Sequence, residues 1–364
     1  MDNNFFKKYL LPGFIFQSVI IGGGYGTGRE IVEFFLSHGP VAGILGMLLV
    51  TTTVWAIFLA VIFEFSRRFN AYNYKDFFKR LLGKYWFIFE IIFLIYILLV
   101  LAVLSSASGV ILRDDFGLPY IFGVVIMLLL VGFFTYKGSD KIEKFLTWWS
   151  FLLYAVYIIF LVIVFTKFSD RIIENFSHSE VKGNWPVSSL KYAFYNLANV
   201  VGVIFCIRHI QTRREAFSAG ILAGFIGIIP GLLIFVAMTS FYPEILSAEI
   251  PSLLAFKKTE IEILFIVFEI ILFGTLIETG TALIHSFNER VFSSEYFRDK
   301  KKHQLIRPLI AISFLLIAVA LSFFGIIDLI AKGYGIISWG FLLVFLLPMA
   351  TIGVYKIFKG RDFN

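Results

Sequence analysis

Hydrophobic residues in this chain gather into long runs, not into the short alternating or one-sided patterns of a soluble domain. Ten runs, each about 18 residues or longer, occupy positions 12–37, 41–65, 86–112, 119–136, 145–167, 187–208, 216–241, 261–288, 308–325 and 334–357. At 1.5 Å per residue, such runs match the roughly 30 Å of hydrocarbon in a bilayer. The pattern predicts an all-α, polytopic membrane protein of about ten transmembrane helices. A further short apolar stretch, 326–331, lies between the ninth and tenth runs. Of the connecting segments, 168–186 and 242–260 are long, and the second predicts a short helix near Ser252–Phe256. The charged segments 66–85 and 289–307 predict partly helical stretches at the membrane surface. Tyr72 to Tyr85 among them is amphipathic and basic, as suits anionic lipid.

Two runs are interrupted. The first reads IIGGGYGTGREIVEFF from Ile20 to Phe35, with Gly22, Gly23, Gly24, Gly26 and Gly28 followed at once by Arg29, Glu30 and Glu33. An interior glycine costs a helix roughly 0.8–1 kcal/mol relative to alanine, so the cluster predicts backbone opened within 21–28. Open backbone at membrane depth is tolerated where it is buried in protein or lines a polar cavity. Close packing through GxxxG (Gly22/Gly26, Gly24/Gly28) explains the glycines but not the charges. The sixth run places Asn196, Asn199 and Gly202 where a membrane helix is normally most apolar, predicting a second break within 194–203. Interhelical hydrogen bonding is the competing use of the two asparagines.

The composition agrees: 59% of residues are hydrophobic and only 16% charged, against about 25% charged in soluble domains. The net charge of +7 is a topology signal and not a nucleic-acid footprint. Of 32 Lys and Arg, 23 fall in segments on the N-terminal side of the membrane and 7 on the other, alternating through every loop. By the positive-inside rule both termini are cytoplasmic, in the cell membrane. The single Cys206 excludes an intrachain disulfide, and the five histidines form no HExxH or other ligand spacing. There is no Walker A motif and no Ser/His/Asp cluster. The expectation is therefore neither an enzyme nor an ATP-driven pump, with no cofactor beyond a sodium ion.

Ten spans divide into two sets of five, about 8–168 and 186–358, within one transmembrane domain. Five is odd, so the second set begins on the opposite side of the membrane from the first. Interrupted helices at corresponding positions of two such halves point to an inverted-repeat transporter and to its binding site. The motif GGGYGTGREIVEFF resembles the start of bacterial YkvI-type membrane proteins. These in turn resemble the amino acid–polyamine–organocation superfamily with the LeuT fold, in which Gly26-Thr27-Gly28 takes the place of a small-residue triplet in the broken first helix. The resemblance implies a LeuT-like 5+5 inverted repeat with helices 1 and 6 broken.

A broken helix offers unpaired N–H groups where its second half begins and unpaired carbonyls where its first half ends. A substrate carboxylate is expected on the amides of Gly26, Thr27 and Gly28, beside Gly24, Asn196 and Asn199. An amine or cation is expected against carbonyls around Gly22 and Tyr25 and against those at the break in the sixth span. In the eighth run Thr275, Glu278 and Thr279 share one helical face. The resemblance implies that these three, with the Gly22 and Tyr25 carbonyls, form a cation site; Glu278 could equally carry a proton or make a structural ion pair. Arg29, Glu30, Glu33 and Glu269 are gate candidates, or structural pairs. The expected function is secondary active transport of a small amino acid or related amine, ion-coupled and by alternating access. The alternatives are a transporter-fold receptor that binds without transport, and a channel. The lipid bilayer and a small-molecule substrate are the expected partners.

Overall fold

The computed structural model describes residues 5–137, 140–292 and 312–359, and the secondary structure of these residues is helical. The first span is α1 (6–27) followed by α2 (Arg29–Phe34). Then come α3 (Pro40–Arg68), the short amphipathic α4 (Tyr74–Leu82), α5 (Trp86–Asp114), α6 (Tyr120–Lys137) and α7 (Asp140–Lys167). A bend of 73° leads from α7 into α8 (Ser169–Ser177). The second half holds α9 (Trp185–Leu197) with the 3₁₀ turns that extend it, α10 (Arg213–Thr239), α11 (Pro251–Lys257), α12 (Glu262–Phe292), α13 (Ile312–Ser322) and α14 (Ile326–Lys359). Each of the ten runs is largely helical over its described residues, the expected short helix is α11, and the amphipathic stretch Tyr72 to Tyr85 contains α4. The 326–331 stretch joins the tenth span through a π-helical turn, Leu329–Tyr334, and is not a separate element. Most of segment 289–307 and the start of the ninth run lie outside the described residues.

Packing centres on α10, which crosses α1 and α3. A Cβ on Gly220 would fall 2.3 Å from the Ala60 nitrogen, and one on Gly224 2.6 Å from the Ala56 nitrogen. One and two turns further, Gly227 faces Phe16 and Trp55, and Gly231 faces the Tyr25 ring. Small residues in this register let two helix backbones approach where lipid supplies no hydrophobic drive for their association. Ser105 and Ser108 of α5 donate back to Leu101 and Leu104 of their own helix, and Gly123 of α6 packs on the Ser108 carbonyl. That serine face is used for packing. Glu64 pairs with Arg67 at 2.7 Å, as its place near a span end suggests.

Both breaks exist, but their form differs from the expectation. In the first span the glycine cluster stays wound: Ile21–Tyr25 is a π-helical turn, and Gly26 and Thr27 continue the helix. The chain departs from helix at one residue, Gly28, whose φ of +72° is left-handed and which caps α2. Turns without Cβ atoms can widen without opening, which composition alone does not distinguish from a break. In the sixth span α9 ends at Leu197, and tight 3₁₀ turns, Ala198–Gly202 and Ile204–His209, carry the chain on.

Candidate functional site

Between the two breaks lies a cavity of about 310 Å³. Its floor is Gly24 and Glu30 from the first span, Asn196 from α9 and Thr275 from α12; its rim is Ser18, Val19, Gly202 and Ala282. The floor residues are buried and the rim residues exposed, so the cavity opens towards the end of the molecule that carries the N-terminus. Asn199, Glu278 and Thr279 line the wall between.

Glu30 is the deepest charged group, with 5% of its surface exposed. Its carboxylate accepts a hydrogen bond from the Tyr195 hydroxyl. It reaches this place across Gly24, where a Cβ would lie 2.6 Å from Glu30 Oε2. Tyr96, Tyr195 and Tyr334 surround it, with ring centroids 5.0–6.1 Å apart. Asn199 donates to the Tyr96 hydroxyl at 3.3 Å and sits 3.5 Å from Asn196 Oδ1. Asn196 itself donates to the Tyr192 carbonyl of its own helix. On α12, Thr275 donates to Ile271 and Thr279 to Thr275, each one turn back. A hydroxyl whose proton is committed to its own helix presents lone pairs, the acceptor a cation needs.

The opposite side of the first break is closed. Arg29, 4% exposed, donates to the carbonyls of Leu246 (2.8 Å) and Ala248 (3.0 Å) and pairs with Glu33 at 2.6 Å. Ser252 at the start of α11 donates to the Gly26 carbonyl at 2.8 Å. The Tyr157 hydroxyl of α7 lies 3.0 Å from the carbonyls of both Tyr25 and Gly26. Met238 covers Gly28, its Cε 2.2 Å from where a Cβ would be. Segment 244–257 thus lies over the break as a cover pinned by Arg29 and Ser252.

The residues singled out in the sequence divide accordingly. Gly24, Asn196, Asn199, Thr275, Glu278 and Thr279 meet at one cavity. Gly26, Thr27 and Gly28 do not line it and are packed under Met238, Ser252 and Leu272. Tyr25 is also off its wall, and the Tyr25 carbonyl is engaged by Tyr157; the surroundings of Gly22 lie outside the described residues. Among the gate candidates, Arg29 and Glu33 form one pair on the closed side. Glu269 is buried on α12 and is not an ion-pair partner of Arg29. Glu30 faces the cavity instead of joining them. Sequence reasoning passed over Tyr96, Tyr157, Tyr195, Tyr334 and Ser252. The one available signal was Tyr195, adjacent to Asn196.

No family model matches the chain. It is similar to the uncharacterized membrane protein YkvI of Bacillus subtilis (strain 168), with 26% identity over 220 residues, which is 58% of this chain and 60% of that protein. The similarity expected from the glycine-rich motif is therefore present in sequence. In structure the chain is similar to a Na⁺-coupled sialic acid symporter in its substrate-bound, outward-open state, with a TM-score of 0.56 and 13% identity. That similarity covers 98% of this chain and 92% of the symporter. The fold is LeuT-like, all-α and membrane-spanning.

Proposed function

We propose that this protein is a secondary active transporter of a small amino acid or related amine, driven by a proton or sodium gradient through alternating access, with both termini cytoplasmic. The observation that carries the reading is a cavity beside two helix breaks, with Glu30, Asn196, Asn199 and Glu278 in its wall, open at one end and covered at the other. A channel would need a path through both ends, and a cover held by Arg29 and Ser252 stands against one. The likeness in fold to a Na⁺-coupled symporter supports the same reading. No covalent step and no cofactor other than a coupling ion is required.

Coupling falls to Glu278 with Thr275 and Thr279. A central acidic residue in a membrane helix is placed at about 2.5–3.5 kcal/mol on insertion scales, so a compensating proton or cation stabilises it. The proton fits better, because a full carboxylate is more than sodium needs beside carbonyl and hydroxyl ligands. Uptake into liposomes by the reconstituted protein, across a substrate panel with imposed proton or sodium gradients, tests this. Glu278→Gln, a mimic of the protonated state, should still exchange substrate across the membrane but fail to accumulate it uphill. Accumulation by Glu278→Gln at the wild-type level under both gradients would show that Glu278 is structural.

A further inference from the structure

The chemistry of the cavity floor narrows the substrate class, an inference that rests on the transport reading above. Two carboxylates, Glu30 and Glu278, line the cavity, and among the described residues lining it there is no Lys, Arg or His. Two described cations close to Glu30 in sequence or in the fold are directed elsewhere. Arg29, adjacent in sequence to Glu30, is committed to Glu33 and two carbonyls on the closed side. Lys191 lies beside Gly335, its Nζ 4.0 Å from where a Cβ would be there, and makes no ion pair with Glu30. Among the described residues, the one hydrogen bond that reaches the Glu30 carboxylate comes from a neutral donor, Tyr195.

A buried carboxylate with no basic partner is strongly disfavoured unless a cation or proton joins it. The surroundings suit an organic cation. Phe93, Tyr96 and Tyr334 line the same cavity, and aromatic faces attract an ammonium group through their quadrupole. The Asn196 carbonyl oxygen and the Tyr96 hydroxyl add acceptors for N–H donors. Among the described residues no anion subsite lines the cavity: the amides of Gly26, Thr27 and Gly28 are packed away behind Met238 and Ser252.

We infer that the substrate is recognised as a protonated amine, its ammonium bound between the Glu30 carboxylate and the Tyr96–Tyr334 rings, and that a substrate carboxylate is not required. Gly24 belongs to this subsite as the position that makes room for the Glu30 carboxylate. Tyr195 is a positioning residue that holds the carboxylate towards the cavity.

Binding to the purified full chain in detergent, by titration calorimetry, provides a test independent of any gradient. The probes are matched sets: leucine, isoamylamine and 4-methylpentanoate; alanine, ethylamine and propionate; phenylalanine, phenethylamine and 3-phenylpropionate. At least one amine should bind as tightly as its amino acid or tighter, and its carboxylate should not bind. Glu30→Gln should lose amine affinity by about 10- to 100-fold, as expected for a charge-assisted contact. Glu30→Asp, which keeps the charge, should retain part of it, with both variants eluting as the wild type does on size exclusion. Amines binding no better than the matched carboxylates, or wild-type amine affinity in Glu30→Gln, would overturn the inference. Glu30-dependent amine binding without accumulation in proteoliposomes would instead remove only the transport reading. Uptake of an amino acid with its amine ignored would remove only this one.

Discussion

A missing methyl group at Gly24 leaves room for the Glu30 carboxylate to turn into the cavity. Alanine there would put a Cβ 2.6 Å from Glu30 Oε2, so the flexible end of the glutamate would move while the backbone stayed. Replacing a helical glycine by alanine favours the helix by about 0.8–1 kcal/mol. Gly24→Ala should therefore melt at the wild-type temperature or above, yet bind amines about tenfold less well; thermal unfolding and calorimetry on one preparation would check both halves. The sequence reading singled out this stretch and set Glu30 among the gate candidates, whereas its carboxylate lines the cavity. Neighbouring helix residues project roughly 100° apart, so Arg29 can reach the cover while Glu30 turns to the cavity, and a cluster of charges in sequence does not reveal which way each faces. The tyrosines were illegible for another reason. Tyr96, Tyr195 and Tyr334 come from the third, sixth and tenth spans, and nothing local in any of them signals that they meet.

Whole elements were easier to read, because the thickness of a bilayer dictates their length. Among the described residues the first eight spans appear close to their expected places and the ninth is helical over Ile312–Ser322, whereas the tenth begins earlier than expected because Gly333 and Gly335 sit within a helix that continues through a π turn. What composition could not separate was glycine that opens a helix from glycine that packs one. The first-span cluster carried GxxxG spacing, yet it is Gly220 and Gly224 on α10 that bring their helix against the backbone of α3. There the clash for a Cβ would be with the Ala60 and Ala56 backbone nitrogens, which cannot rotate away. Overpacking of this kind costs about 1–3 kcal/mol. Gly220→Ala and Gly224→Ala should each lower thermal stability in detergent while leaving the amine affinity of the surviving folded fraction unchanged. Stability equal to wild type in both would mean that α3 and α10 do not approach this closely in the protein, whereas Gly24→Ala is expected to show the reverse pattern.

At the scale of the molecule, the cavity is open beside the N-terminal half of α1 and covered beyond Gly28, an asymmetry that alternating access must be able to invert. The symporter it is similar to in fold was seen open to the outside; with the N-terminus cytoplasmic, as proposed above, the cavity of this chain opens to the inside. In this chain the cover is segment 244–257, and its strongest attachment is Arg29, which is buried and holds two of its carbonyls. A ligand or mutation shifts such an equilibrium only through contacts that differ between its two states. The Arg29 contacts to Leu246 and Ala248 are of that kind, since they join the cover to the first span. Charge-assisted hydrogen bonds of this type contribute about 1.5–3 kcal/mol, enough to shift the ratio of closed to open cover by tenfold or more. Arg29→Ala should thus expose the far side of the break. In a Cys206→Ser background, Ser18→Cys should react with a membrane-impermeant maleimide from the N-terminal face, because Ser18 is on the exposed rim. Thr27→Cys should be protected, because Thr27 is fully buried under the cover. Adding Arg29→Ala should make the cysteine at 27 react from the opposite face and slow the reaction at 18, since opening one side closes the other. Reaction at 27 without any slowing at 18 would mean that the two sides open independently, and that a gated pore describes the molecule better than a carrier.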